Sequence, residues 1–194
     1  MSRKVAIYGG SFNPIHTGHT RLAQSLVQEG HIDEVWLMVS PLNPLKQQAT
    51  NDIAPYAHRL NMAQLATEGL TGVRASDFES RLPLPSYTVH TLAALCKAWP
   101  QHEFALVIGA DNWTRFSRWY HNEEIRHHYP IIIYPRPGYD IRDTADGDIH
   151  VAQGTTLYDI SSTRLRQAIR QGQDTGEWLD PRVRSYIDEN RLYI

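Results

Sequence analysis

Residues 4–19 read KVAIYGGSFNPIHTGH. Residues 4–8 form a short apolar run that halts at Gly9 and Gly10, the pattern of a buried strand cut off by glycine. A polar loop follows. Leu22, Ala23, Leu26 and Val27 then recur at helical spacing until Gly30 ends the register. Strand, loop and helix in that order begin an alternation that continues down the chain.

A second apolar run at residues 34–39 stops at Ser40 and Pro41, a helix is expected over 55–67, and 73–76 reads as a short strand. Val89, Leu92, Ala93 and Cys96 follow helical spacing, so a third helix runs to about Trp99 and Pro100. Strands are expected at 104–108, stopped by Gly109, and at 131–134, stopped by Pro135 and Pro137. Ser161 or Ser162 caps a late helix that points Leu165, Ala168 and Ile169 inward and ends before Gly172. Pro181 suits the first turn of a last helix with Val183, Tyr186 and Ile187 on one face. This alternation predicts an α/β fold, a Rossmann-like doubly wound parallel sheet with helices on both faces and right-handed crossovers. A small helical part is expected from about 161 to 194, within a single domain over 1–194. Residues 42–52 and 136–147 read as loops, the first able to act as a lid.

Composition narrows the function classes. The 194 residues are 41% hydrophobic and 21% charged, ordinary globular usage that suits one domain. With 19 basic and 21 acidic residues the formal charge is -2, so no basic excess points to nucleic acid or an anionic membrane. The single cysteine, Cys96, excludes an intrachain disulfide framework and a multi-cysteine metal site, and its register reads as that of a small buried residue. Apolar runs such as 35–39, 105–108 and 131–134 fall far short of the roughly 20 residues that span a bilayer. The first apolar run is also shorter than a secretory core of about 7–15 residues, so a soluble, cytoplasmic protein is expected.

In an open parallel sheet, ligands bind beyond the carboxyl ends of the strands. Four polar, turn-rich segments collect there: 9–19, 40–46 (SPLNPLK), 109–113 (GADNW) and, before the late helix, 160–166 (ISSTRLR). The first is neither GxGxxG nor GxxxxGK[ST], which disfavours a dinucleotide oxidoreductase and a P-loop hydrolase. Gly9 and Gly10 let backbone N–H groups approach phosphate closely, and Pro14 stiffens the loop. His16 and His19 share a face near a helix N-terminus, with Gly18 between them removing a side chain. Spacing alone leaves these histidines open between phosphate contacts, a metal pair and surface residues. It leaves Ser161 and Ser162 open between cap and anion site, and Trp119 between packing and ligand contact. His121, His127 and His128 read as a polar helix face, and Arg115 and Arg118 as solvated.

GGSFNPIHTGH at 9–19 resembles the (H/T)xGH signature of a nucleotidyltransferase superfamily, and ISSTRLR at 160–166 resembles its second signature, ISSTxxR. PSYTVHTL at 85–92, IGADNWTRFSRWYHNEEI at 108–125 and PRPGY at 135–139 narrow the resemblance to the bacterial nicotinate-nucleotide adenylyltransferases, over nearly the whole chain. The resemblance implies transfer of an adenylyl group from ATP to nicotinate mononucleotide, giving deamido-NAD and pyrophosphate in NAD biosynthesis. Mg²⁺ would accompany ATP, and the partners would be small molecules only.

By resemblance, His16, His19 and Arg166 are the catalytic contacts to the ATP phosphates, with His19 nearest the α-phosphate. Gly9, Gly10, Ser11, Phe12, Lys46, Gly109, Asp111, Ile160, Ser161, Ser162 and Thr163 contact the nucleotide; Ser86, Tyr87, Thr88, Trp119 and Arg136 contact the pyridine substrate. Many relatives of that kind have Asp in place of Asn13 and His in place of Leu45. The attacking phosphate monoester has a second pKa near ~6 and needs no general base at neutral pH. Catalysis then reduces to positioning two polyanions and stabilising charge. The alternatives are another phosphorylated acceptor, such as nicotinamide mononucleotide, phosphopantetheine or FMN, and a non-catalytic nucleotide-binding sensor. PSYTV and the Trp119 context disfavour phosphopantetheine and FMN. A fragment of an HxGH synthetase would need a KMSKS-like loop, which this sequence lacks.

Overall fold

The computed structural model describes residues 1–41, 52–152 and 161–194. Six parallel strands form one sheet in the order β3-β2-β1-β4-β5-β6. They are β1 (Lys4–Gly10), β2 (Glu34–Val39), β3 (Val73–Ser76), β4 (Glu103–Gly109), β5 (Ile131–Tyr134) and β6 (Ile149–Val151). The helices are α1 (Thr17–Gln28), α2 (Tyr56–Thr67), α3 (Thr88–Ala98), α4 (Ala110–Trp113), α5 (Asn122–His128), α6 (Ser162–Arg170) and α7 (Pro181–Glu189).

The central strands are apolar on both faces because both faces are covered. Ala6 and Tyr8 of β1, Val35 and Leu37 of β2, and Val107 of β4 pack in one cluster with Leu22 and Leu26 of α1, Met62 of α2, Leu165 of α6 and Ile187 of α7. Their strand neighbours Val5, Ile7, Trp36, Met38, Leu106 and Ile108 face the other way, against Leu92 and Leu95 of α3, Trp113 of α4 and Ile125 of α5. Successive side chains point to opposite faces of a strand. A run such as VAIY can therefore feed two cores at once.

Three features differ from expectation. β1 does not stop at residue 8; Gly9 and Gly10 stay in register opposite Met38 and Val39, so the glycines lie in the strand end itself. β6 has no counterpart among the expected strands. It is a three-residue edge strand with two exposed positions, too short and too polar to show as an apolar run. Cys96 is half-buried rather than fully enclosed. No helix among the described residues is long and apolar enough to cross a membrane.

The sheet order reverses between β1 and β4. Chain leaving β1 turns to one face and chain leaving β4 to the other, which opens a crevice beyond the strand ends.

Candidate active site

The crevice is floored by the ends of three strands. Gly9 and Gly10 leave β1, Gly109 leaves β4, and Tyr134 ends β5. A Cβ at Gly9 would meet nothing within 4 Å, so this backbone faces open space. A Cβ at Gly109 would collide with Asp111 Oδ1 and lie 2.9 Å from Tyr134 Cζ and 3.0 Å from Arg136 Nε. Gly109→Ala therefore forces apart the Asp111–Arg136 ion pair, 3.2 Å long, at the crevice wall. We expect it to cost about 1–3 kcal/mol of stability, the usual range for an overpacked site. Denaturant unfolding measures this, and an unchanged midpoint would show that the wall yields freely.

The loop after β1 carries the histidines. Phe12 adopts φ 45, a left-handed conformation in which few side chains rest, and turns its buried ring under the loop. His16 is the N-cap of α1, and its N–H donates to Nδ1 of His19 at 3.2 Å. An Nδ1 that accepts carries no proton, so the neutral His19 ring holds its hydrogen on Nε2 and is a donor there. The two imidazoles stack with centroids 3.6 Å apart, and Phe12 meets His19 edge-on at 5.0 Å. Burial and the positive charge of Arg136 lower His16 to about 3, so it stands neutral at ordinary pH.

The two signatures meet across the fold. Ser161 caps α6, accepting from the Arg164 N–H at 3.2 Å, as a cap reading of the sequence expects. Ser162 Oγ donates to the carbonyl of Pro14 at 3.0 Å, and Arg166 Nη1 donates to the carbonyl of Asn13 at 2.9 Å. The N-termini of α1 and α6 are thereby clasped side by side. Each offers N–H groups without intrahelical partners and partial positive charge. Thr163, the next residue along α6, is exposed. Arg166 also donates through Nε and Nη2 to Asp52 Oδ2, at 3.0 and 2.8 Å, and Arg170 pairs with the same carboxylate. A carboxylate thus already rests on Arg166. Asn13 both donates to the Asp52 carbonyl and accepts from the Ala54 N–H and the Tyr193 hydroxyl. A carboxylate could not make the first of these bonds, which gives the amide at this position a physical reason.

A second part of the crevice is a cavity of about 210 Å³ lined by Gly9, Gly10, Ser40, Glu79, Ser86, Tyr87, Thr88, Gly109, Arg118, Trp119, Tyr120 and Tyr134. Ser86, Tyr87, Thr88 and Trp119, expected together from sequence, do meet here. Trp119 leans on Phe116 at 5.5 Å, and its buried Nε1–H has no hydrogen-bond partner among the described residues. Tyr87 lies over Tyr120 at 4.7 Å. Arg118 is exposed as expected, yet it lines this cavity. Arg136, expected with the pyridine group, sits instead by Asp111 and donates to the Tyr134 hydroxyl at 3.0 Å, which also accepts from Tyr8 at 3.2 Å. The histidines at the two ends of α5 take local partners, the N-cap His121 with Glu124 at 2.9 Å and His128 with the Glu124 carbonyl at 2.9 Å. Lys46 and Ile160 lie outside the described residues, as does all of the 42–52 loop except Asp52.

Sequence reasoning missed Arg59. It is buried and donates to the carbonyls of Ser11, Ser40, Pro41 and Ala54 at 2.7, 2.8, 3.2 and 2.9 Å. It ties the loop after β1 to the loop after β2. Only its place on α2 could have hinted at this, since buried arginines carry no periodic signal.

Comparison with known proteins agrees with this geometry. The cytidylyltransferase-like family matches residues 7–168. A Bacteroides thetaiotaomicron protein named "Probable nicotinate-nucleotide adenylyltransferase" is 45% identical over 186 residues, covering 96% of this chain and 91% of its own. One of the same name from Bacteroides fragilis is 46% identical over 181 residues, covering 93% and 89%. In fold, the chain is similar to Plasmodium falciparum nicotinic acid mononucleotide adenylyltransferase complexed with NaAD, with a TM-score of 0.83, 21% identity and coverage of 98% and 97%. Matched over most of its length and related to these proteins nearly end to end, the chain belongs to the cytidylyltransferase-like family.

Proposed function

We propose that this protein is a nicotinate-nucleotide adenylyltransferase, joining ATP and nicotinate mononucleotide to give deamido-NAD and pyrophosphate. The observation that carries this reading is the clasp between the two signatures, Ser162 on Pro14 and Arg166 on Asn13, formed by the loop after β1, whose strand end Gly9–Gly10 also lines the aromatic cavity. The clasp supports placing the triphosphate between the N-termini of α1 and α6, with the mononucleotide ring in the cavity beside Trp119. The relatives' names support the same reaction. We also read residues 1–194 as one catalytic domain, since α6 and α7 share a core cluster with β1 and β2.

The reaction needs no protein base, because the attacking phosphate is already largely dianionic. The N–H groups of Gly9 and Gly10, the Nε2–H of His19 and the Arg166 guanidinium meet charge on the transferring group and the leaving pyrophosphate. His16, held neutral, supports the stacked His19 ring. Arg166 exchanges Asp52 for phosphate oxygen. Asp111, an acidic side chain of the crevice wall, already pairs with Arg136, so a Mg²⁺ would be held mainly by the triphosphate it arrives with and Asp111 would be the protein group to meet it. Such an ion supplies charge neutralisation to the phosphates.

The test incubates folded protein with ATP and Mg²⁺, alone and with each pyridine mononucleotide, and scores pyrophosphate and dinucleotide. Acceptor-dependent pyrophosphate is expected; none above background with any acceptor overturns the reading.

Trp119→Ala should raise KM for the mononucleotide about 10–100-fold and leave KM for ATP within about twofold, since one base–aromatic stack is worth ~1–3 kcal/mol. Steady-state kinetics with each substrate varied in turn decide it. Equal effects on both constants would mark Trp119 as a packing residue.

A further inference from the structure

Glu79 sits on a 3₁₀ turn, Phe78–Arg81, directly after β3, and is buried against the cavity wall. Its Oε1 accepts the hydroxyl of Ser86 at 2.5 Å and that of Ser40 at 3.4 Å. Three segments therefore meet on one carboxyl: the end of β2, the turn after β3 and the approach to α3. No ion pair to Glu79 is formed among the described residues. Burial raises its pKa, and the two hydroxyl donors act against that rise.

The consequence lies at the start of α3. Its N-cap is Tyr87, whose side chain makes no cap hydrogen bond. Asp, Ser or Thr at this place would lock the first turn by bonding its free N–H groups. Here no side-chain cap bonds those N–H groups, Tyr87 and Thr88 line the cavity, and the chain before them is held at Ser86 instead. Ser86 is itself buried, and its hydroxyl proton is committed to Glu79. Ser86 is thus a post on which Tyr87 and Thr88 are mounted, and Glu79 is the socket. Ser40 carries the same tie onward, because its N–H donates to the Gly10 carbonyl at 3.0 Å. A single carboxyl therefore references the aromatic cavity to the strand end that faces the phosphates.

We infer that Glu79 is a positioning residue for the acceptor mononucleotide, acting through its hydrogen bond to Ser86 to set the Tyr87–Thr88 start of α3 in the cavity. This rests on the proposed function, since the acceptor is read out by that reaction. Glu79 touches no reacting atom, so its removal moves acceptor binding and leaves the ATP side in place.

The experiment compares Glu79→Ala, Glu79→Gln, Ser86→Ala and the Glu79→Ala/Ser86→Ala double variant with wild type, varying nicotinate mononucleotide and ATP separately. Glu79→Ala is expected to raise KM for the mononucleotide about tenfold, the scale of one lost buried hydrogen bond, with KM for ATP within about twofold of wild type. Glu79→Gln keeps an acceptor oxygen for Ser86 and should stay within about threefold of wild type. Ser86→Ala should likewise raise KM for the mononucleotide and spare that for ATP, and the double variant should be no worse than Glu79→Ala, because the Glu79–Ser86 bond is already lost in that single variant. Should Glu79→Ala fail to fold, Glu79→Gln and Ser86→Ala still decide. KM values that rise together, a Gln variant as damaged as Ala, or an unaffected Ser86→Ala each overturn the inference. A wild type that releases pyrophosphate while the variants behave so leaves the enzymatic reading standing. A wild type inactive with every acceptor overturns both.

Discussion

His19→Ala is expected to lower kcat for dinucleotide formation by about 10²–10³, the typical cost of removing one preorganised donor from a developing negative charge. KM and the directly titrated Kd for the mononucleotide should change far less, since a donor aimed at charge that appears in the transition state adds little to ground-state binding. The structure supplies the preorganisation. The His16 N–H fixes the tautomer of His19 through Nδ1, and the His16 ring stacks on it at 3.6 Å. Phe12 at 5.0 Å and Tyr8 at 6.0 Å close two further sides of the ring. A side chain held this way reorganises little when charge moves. Rapid-quench or steady-state pyrophosphate release, with unfolding curves to confirm an intact fold, measures the effect. Turnover near wild type would show that the donor is another group.

What the sequence reveals and what it hides follow from one physical distinction. Apolar runs and glycines announce themselves locally, so β1, β2, β4 and β5, the Gly109 turn and the capping of α6 by Ser161 are legible in the amino-acid sequence. The crevice itself can be placed, because strand–helix alternation implies a switch point and ligand segments collect there. Long-range polar contacts cannot. Arg59 and Glu79 are among the most buried charged side chains, yet in sequence they resemble surface residues. Their burial is tolerable only because carbonyls and hydroxyls far along the chain satisfy them. Arg166 reads as an anion clamp, but its partner Asp52 lies 114 residues away and carries no pattern of its own. Tyr193, whose hydroxyl completes the bonding of Asn13, is 180 residues from it. Arg136 shows the same limit. PRPGY places it at the end of β5, but only the fold turns it toward Asp111 rather than Trp119.

The acceptor preference is expected to favour nicotinate mononucleotide over the nicotinamide form by roughly 10–100-fold in kcat/KM, since a hydrogen bond to a charged group is worth ~1.5–3 kcal/mol. The argument is electrostatic. α3 begins at Thr88 with its N-cap Tyr87 extended at φ -84, ψ 144, and its first turn holds no acidic residue. The N–H groups of its first turn, which lack partners within the helix, and the positive end of its dipole suit a carboxylate on the ring. An amide would set its own NH₂ against those donors. Arg118 and the Nε1–H of Trp119, which has no partner among the described residues, line the same cavity and favour an acceptor atom in the same way. Among the described residues Glu79 is the one carboxyl lining the cavity, and its Oε1 accepts from two hydroxyls. The α3 donors, not Glu79, then set the sign of the preference. Measuring kcat/KM for both acceptors at saturating ATP decides the matter. A ratio near one, or one favouring the amide, would mean that the N-terminus of α3 is not where the ring substituent binds, while the adenylyl-transfer chemistry would stand.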